Sequence, residues 1–133
     1  MTERELVKIA IENMNKAYAP YSNFTVGAAL LTKSGKVYSG ANVENASYGA
    51  TVCAERVALS SAIIDGERRF SMLAISGGKN LKASGEILPC GICLQALSEF
   101  CEKDFKILIA CDADSIKTFT LGELLPKSFC LEK

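Results

Sequence analysis

The stretch Phe105-Lys106-Ile107-Leu108-Ile109-Ala110-Cys111-Asp112-Ala113-Asp114-Ser115-Ile116-Lys117-Thr118-Phe119 decides how the fold closes. Phe105 to Cys111 reads as one strand and Ile116 to Phe119 as another, with only Asp112 to Ser115 between them. A parallel pair needs a crossover of about a dozen residues or more. The two strands are therefore expected to form an antiparallel hairpin. Thr120 and Glu123 follow at the spacing of a capping box. They introduce a short helical turn at Leu124-Leu125, halted by Pro126.

Moving outward from this hairpin, Pro89 precedes a helix expected over Gly91 to Cys101. Before it, Phe70 to Ser76 reads as a strand, and Gly77-Gly78 opens a polar loop reaching Leu88. A helix is expected from about Val52 to Ile64, stopped by Asp65-Gly66. Val26 to Thr32 and Val37 to Asn42 read as a hairpin around Ser34-Gly35. At the start, Thr2 and Glu5 again have capping-box form. Leu6, Val7, Ala10, Ile11, Met14 and Tyr18 recur at helical spacing until Ala19-Pro20-Tyr21-Ser22 ends the helix. The order αββαβαββ predicts an α/β fold, one mixed sheet with helices on its faces. The length of 133 residues suits a single domain spanning 1–133.

Composition narrows the function classes. Fifteen Lys and Arg balance fifteen Asp and Glu, and histidine is absent. A polynucleotide-binding protein usually carries a basic surface. The Arg68-Arg69 pair and scattered lysines form no such run, so the reading is solvated surface charge and no nucleic-acid partner. The beginning, Met1-Thr2-Glu3-Arg4-Glu5-Leu6, is charged and has no secretory apolar region. No segment approaches the ~18 apolar residues of a membrane span. A cytoplasmic protein with no membrane partner is expected, in which the six cysteines are reduced.

Three of those cysteines fall in two short segments, Cys53-Ala54-Glu55 and Pro89-Cys90-Gly91-Ile92-Cys93, each beginning an expected helix. Helix N-termini favour thiolates, and thiolates bind zinc. Cys53, Cys90 and Cys93 make three ligands, which leaves a fourth tetrahedral position for water, the pattern of a catalytic site. A structural site takes a fourth protein ligand, and no histidine exists to supply one. Zinc lowers the pKa of a bound water toward ~7. Glu55, two residues after Cys53, is placed to take a proton from that water and return it to a substrate as general acid-base. Cys-x-x-Cys alone is a weak signal; combined with Cys-x-Glu and the leading proline it is a strong one. Buried structural thiols or a redox Cys-x-x-Cys explain neither Glu55 nor Pro89. The remaining Cys101, Cys111 and Cys130 read as inert small hydrophobes.

At these residues the chain resembles the small homotetrameric zinc-dependent cytidine deaminases, whose signature pairs zinc-binding cysteines with a non-ligand glutamate. The likeness extends over Tyr18 to Ser22, Phe24 to Leu30, Asn42 to Asn45, Tyr48-Gly49, Thr51 to Ala58, Pro89 to Gln95 and Leu124 to Pro126. The resemblance implies a three-layer α/β/α sandwich around a five-stranded mixed sheet. It implies one Zn²⁺ per chain on Cys53, Cys90 and Cys93, with Glu55 as the catalytic residue. It further implies that Asn42 and Glu44 bind ribose, Phe24 packs on the pyrimidine, and the Ala54 backbone bonds the pyrimidine carbonyl. Phe129 matches a tail aromatic that reaches a neighbouring subunit's pocket, and the implied partner is a second copy, in a tetramer. One departure is Leu94, where the family commonly has arginine. Three thiolates and Zn²⁺ sum to one negative charge, which Arg56 can still offset.

The implied function is hydrolytic deamination of free cytidine and deoxycytidine to the uracil nucleosides, in pyrimidine salvage. Glu55 would protonate N3 and later the leaving amine. The alternatives are a deaminase of a cytosine-like antibiotic, a polynucleotide deaminase, and a non-catalytic zinc module that binds a nucleoside or a protein. The Asn42-Val43-Glu44-Asn45 segment favours a ribose over the first, and neutral charge disfavours the second. Glu55 disfavours the third. Ordinary readings compete at single positions: strand-end hydrogen bonding for Asn42 and Glu44, core packing for Phe24, a surface ion pair for Arg56, and own-subunit packing for Phe129.

Overall fold

Thr2 caps the first helix, α1 (Glu3–Asn13), its hydroxyl accepting from Glu5 N at 3.2 Å. In the computed structural model, which describes residues 1–133, nine elements follow one another along the chain. After α1 come strands β1 (Phe24–Thr32) and β2 (Val37–Ala41), helix α2 (Ala54–Ile64) and strand β3 (Phe70–Lys79). Helix α3 (Gly91–Ser98), strands β4 (Lys106–Ala110) and β5 (Ile116–Thr120), and the short helix α4 (Leu121–Leu124) complete it. One five-stranded sheet has the order β2-β1-β3-β4-β5. β3 and β4 are parallel, joined through α3, and every other neighbour is antiparallel. The hairpin expected at the end of the chain is β4-β5, with Ala110 opposite Ile116. The capping box on α4 is complete: the Thr120 hydroxyl accepts from Glu123 N, and the Glu123 carboxylate accepts from Thr120 N.

Alternation along the strands builds two cores. Ala28 and Leu30 of β1, Leu73 and Ile75 of β3, and Ile107 and Ile109 of β4 face α2 and α3. Their neighbours Ala29, Leu31, Ala74, Leu108 and Ala110 face α1 through Leu6, Val7 and Ala10. The result is the expected sandwich of three layers. α2 lies close on β2 because Gly40 has no side chain: a Cβ there would stand 2.1 Å from Ala54 O and 2.7 Å from Ala58 N. The contact fixes the first turn of the helix that follows Cys53.

Four expected elements shift most: the final helix is Leu121–Leu124, directly behind its Thr120 cap and not at Leu124-Leu125, and α1, β3 and α3 end elsewhere than expected. α1 ends at Asn13, not near Tyr18, and only a single 3-10 turn, Met14–Lys16, continues it. The buried Asn13 amide donates to Ala28 O at 2.9 Å. The chain then becomes extended so that Tyr18 can bridge to Val43. β3 runs through Gly77-Gly78 to Lys79, because these glycines pair with Val26 and Thr25 of β1. They mark a close approach of returning chain, not a turn: Lys82 O stands 1.8 Å from where a Cβ of Gly78 would be. α3 stops at Ser98, its exit tightened to bonds from Phe100 N to Leu97 O at 3.1 Å and Ser98 Oγ to Gln95 O at 2.7 Å. Of the remaining thiols, Cys101 is half-buried, whereas Cys111 and Cys130 are exposed and so are not core hydrophobes.

Candidate active site

Cys53 and Cys90 are the N-caps of α2 and α3, both with extended backbone and neither with a side-chain capping hydrogen bond. An N-cap side chain ordinarily turns toward the N3 position of its own helix. Cys93 is that position in α3, and its Sγ lies 3.5 Å from Cys90 Sγ. The two helix starts then converge, so that the sulfurs of Cys53, Cys90 and Cys93 lie within 4.8 Å of one another. Zinc–thiolate bonds of ~2.3 Å in a tetrahedron place sulfurs about 3.8 Å apart. The three thiols thus form a group suited to one zinc ion.

The contacts within this group favour a thiolate at Cys53. The Cys53 thiol is pulled down to about 5, first by a hydrogen bond from Cys93 and then, against burial, by Arg56. Cys93 is pushed up because it holds the shared proton and is buried. Arg56 approaches Cys53 Sγ with a guanidinium nitrogen at 3.9 Å and Thr51 O at 3.3 Å. Burial opposes its charge, but the thiol contacts outweigh burial and raise its pKa. Its buried Nε has no hydrogen-bond partner. Leu94 instead packs in the core with Leu97, and the cation beside the thiols is Arg56.

Glu55 is the second residue of α2 and is only 5% exposed. Burial pushes its carboxyl up, and the neighbouring charge of Cys53 adds to the effect. A buried carboxyl group raised in this way beside a metal-ligand set is suited to proton exchange. Ala54 is fully buried at the helix start.

The expected ribose residues lie in a strip that joins both sides of the site. Val43 exchanges two hydrogen bonds of 2.9 Å with Val52, the residue before Cys53. On its other side Tyr18 N donates to Asn42 O and Glu44 N to Tyr18 O. The Asn42 side chain turns inward: its Nδ2 donates to Phe24 O at 2.9 Å and its Oδ1 accepts from Val26 N at 2.8 Å. Glu44 accepts from the backbone of Tyr21 and Ser22 and from the Ser22 hydroxyl. The Ser22 hydroxyl holds the Glu44 carboxyl below the usual carboxylate range. Glu44 lines a cavity of about 430 Å³ with Tyr21, Ser22, Asn45, Tyr48 and Thr51. Sequence reading missed Ser22 as a partner of Glu44; its neighbourhood to Glu44 arises only once Tyr18 bridges Val43.

Phe24 begins β1 and is half-buried. Phe129 is 68% exposed, while its backbone is gripped from both sides by the Gln95 amide, at 2.7 and 3.2 Å. Its side chain is therefore largely uncovered by its own chain. A separate cleft of about 480 Å³, where β3 and β4 begin, is lined by Arg69, Phe70, Phe100 and Lys106 and includes none of the expected site residues. Arg68 donates to Ile63 O and Glu67 O beyond the end of α2, a surface role.

Comparison with known proteins places this geometry. Residues 1–109 match the family model described as the cytidine and deoxycytidylate deaminase zinc-binding region. The chain is 43% identical to a cytidine deaminase from Halalkalibacterium halodurans over 99% of this chain and 97% of that relative. It is 38% identical to a cytidine deaminase from Sporosarcina psychrophila over 99% and 94%. A crystal structure of cytidine deaminase from Burkholderia pseudomallei matches with a TM-score of 0.88 and 44% identity, covering 97% of this chain and all of that one.

Proposed function

This chain belongs to the cytidine and deoxycytidylate deaminase family, and from that premise we propose how its residues divide the work. It catalyses hydrolytic deamination of cytidine: water adds at C4 of cytosine, ammonia leaves and uridine remains. Pyrimidine salvage is the usual role of this reaction. The observation that carries the proposal is the convergence of three thiols at two helix starts with a buried glutamate one residue into the first.

Cys53, Cys90 and Cys93 would hold the zinc. Bound there, zinc would supply the acidification of the attacking water. Glu55 would take one proton from the attacking water and pass it to N3 of the ring, then take the second proton from the new C4 hydroxyl and pass it to the departing amine, which leaves as ammonia. Arg56 offsets the net negative charge of three thiolates and one divalent cation. Phe24 faces the pyrimidine, the Ala54 backbone bonds its carbonyl, and Asn42 and Glu44 hold the ribose. The inward bonds of Asn42 make it also the brace of β1, so it serves the pocket partly by holding Phe24.

Glu44 sets the substrate class. Its carboxyl stays ionised below the usual carboxylate range, and an anion beside the ribose repels a 5′-phosphate. Cytidine and deoxycytidine are accordingly far better substrates than CMP or single-stranded nucleic acid. The assay is the loss of cytidine's ultraviolet absorbance. Rapid loss with cytidine and slow loss with CMP at matched concentration is expected, and equal competition by CMP contradicts the assignment of Glu44.

The working form is a homo-oligomer, a tetramer, in which Phe129 reaches a neighbouring copy's pocket. Its exposed ring on an anchored backbone supports this, as does the apolar groove formed by Val52, Leu59, Ile63, Ile64, Ala96 and Phe100 between α2 and α3.

A further inference from the structure

β1 and β3 separate at Phe24 and Lys79, the last pair of their ladder. The residues just beyond both adopt the left-handed backbone: Asn23 at φ 57° and Asn80 at φ 55°, followed by Leu81 at φ 60°. Lys82 N returns to Lys79 O at 3.1 Å, so residues 79–82 form a turn with both central residues left-handed, as in type I′. Ser84 N donates to Gly77 O at 2.9 Å, which presses the returning chain against β3. Across the open end of the ladder, Asn23 Nδ2 donates to Asn80 Oδ1 at 2.5 Å. Asparagine is the non-glycine residue best suited to this backbone, and here two of them meet side chain to side chain.

The corner at Asn23 sits between two groups of the proposed pocket. On one side, Ser22 Oγ donates to the Glu44 carboxylate and accepts from Phe24 N at 2.9 Å. On the other, Phe24 starts β1. The backbone of the corner closes on itself through Asn23 N to Ala19 O at 3.0 Å. Beyond the Phe24–Lys79 ladder pair, the Asn23 side chain ties the corner to Asn80 and so to the segment that runs on to Cys90.

We infer that Asn23 and Asn80 form a positioning pair for the nucleoside pocket: their hydrogen bond fixes the left-handed corner that sets Phe24 against Glu44. Neither asparagine needs to touch the substrate. The inference rests on the reading of Phe24 and Glu44 as substrate-binding residues given above. It separates from a purely stabilising bond, which would lower the melting temperature and leave the kinetics of the folded enzyme alone.

The experiment measures kcat and KM for cytidine, zinc content and melting temperature in Asn80→Gly, Asn80→Asp and Phe24→Ala. Glycine keeps the left-handed backbone and deletes only the acceptor; aspartate keeps an acceptor oxygen. Loss of one hydrogen bond predicts a KM about fivefold higher in Asn80→Gly, with kcat within about twofold and zinc unchanged. Asn80→Asp should return KM to near the wild-type value. Asn80→Gly should add little to the KM of Phe24→Ala in the double variant. If Asn80→Gly fails to fold, Asn23→Gly removes the donor instead, with the same expectation. A wild-type KM in the glycine variant while Phe24→Ala raises KM overturns the pair but not the pocket. A wild-type KM in both overturns the reading of Phe24 and the pair with it. Equal rises in the glycine and aspartate variants also overturn it, since the acceptor would then be irrelevant.

Discussion

In the proposed mechanism, single residues act through their places at helix starts. Cys53 and Cys90 stand where a helix ordinarily has serine or aspartate, and the partial positive charge of the N-terminus favours a thiolate there. This much was legible in the sequence, because Cys-x-Glu and Pro-Cys-x-x-Cys are local patterns with a local physical reason. The inward role of Asn42 was not, since its partners on β1 come near only after the hairpin closes. The fates of the other thiols were equally hidden: Cys101 is half-buried, while Cys111 and Cys130 are exposed. Their exposure gives a test of the ligand set. In zinc-loaded protein a thiol reagent should label Cys111 and Cys130 rapidly and spare Cys53, Cys90 and Cys93. Removing zinc with a chelator should then expose Cys90 and Cys53 to the reagent. Cys90 labelling as fast as Cys130 before chelation contradicts its role as a ligand.

Elements position those residues, and their boundaries were the least legible part of the sequence. Element order and the antiparallel β4-β5 hairpin follow from apolar runs and the four residues between them. The ends of α1 and β3 were set by contacts with β1, Asn13 on Ala28 and Gly77-Gly78 beside Val26 and Thr25, whereas α3 ends in its own tightened last turn. The packing of α2 on β2 at Gly40 has a functional consequence, because α2 carries Glu55 and follows Cys53. Gly40→Ala forces Cβ into the backbone of Ala54 and Ala58. Overpacking of this kind costs about 1–3 kcal/mol, and here it displaces the first turn of α2. Denaturant unfolding should show that loss, and zinc affinity should fall with it because metal binding is coupled to the fold. Unchanged stability and zinc retention would mean that the α2 contact does not position the site.

At the scale of the molecule, one chain leaves several large apolar side chains uncovered. Ile64, Ile92, Tyr48 and Phe129 are each more than half exposed, and the groove between α2 and α3 is mostly apolar. Such faces ordinarily mark contact with another protein surface. Phe129→Ala should raise the KM for cytidine several-fold while leaving zinc content and kcat near normal. Sedimentation should show an oligomer under assay conditions; a fully active monomer contradicts a pocket shared between copies. The most direct measurement is cytidine turnover by wild-type and Glu55→Gln protein whose zinc has been counted. One zinc per chain in both, with turnover lowered about 10²–10⁴-fold in the variant, is the predicted result. Near-normal turnover in zinc-loaded Glu55→Gln, or no loss of cytidine absorbance with zinc-loaded wild type, would contradict it.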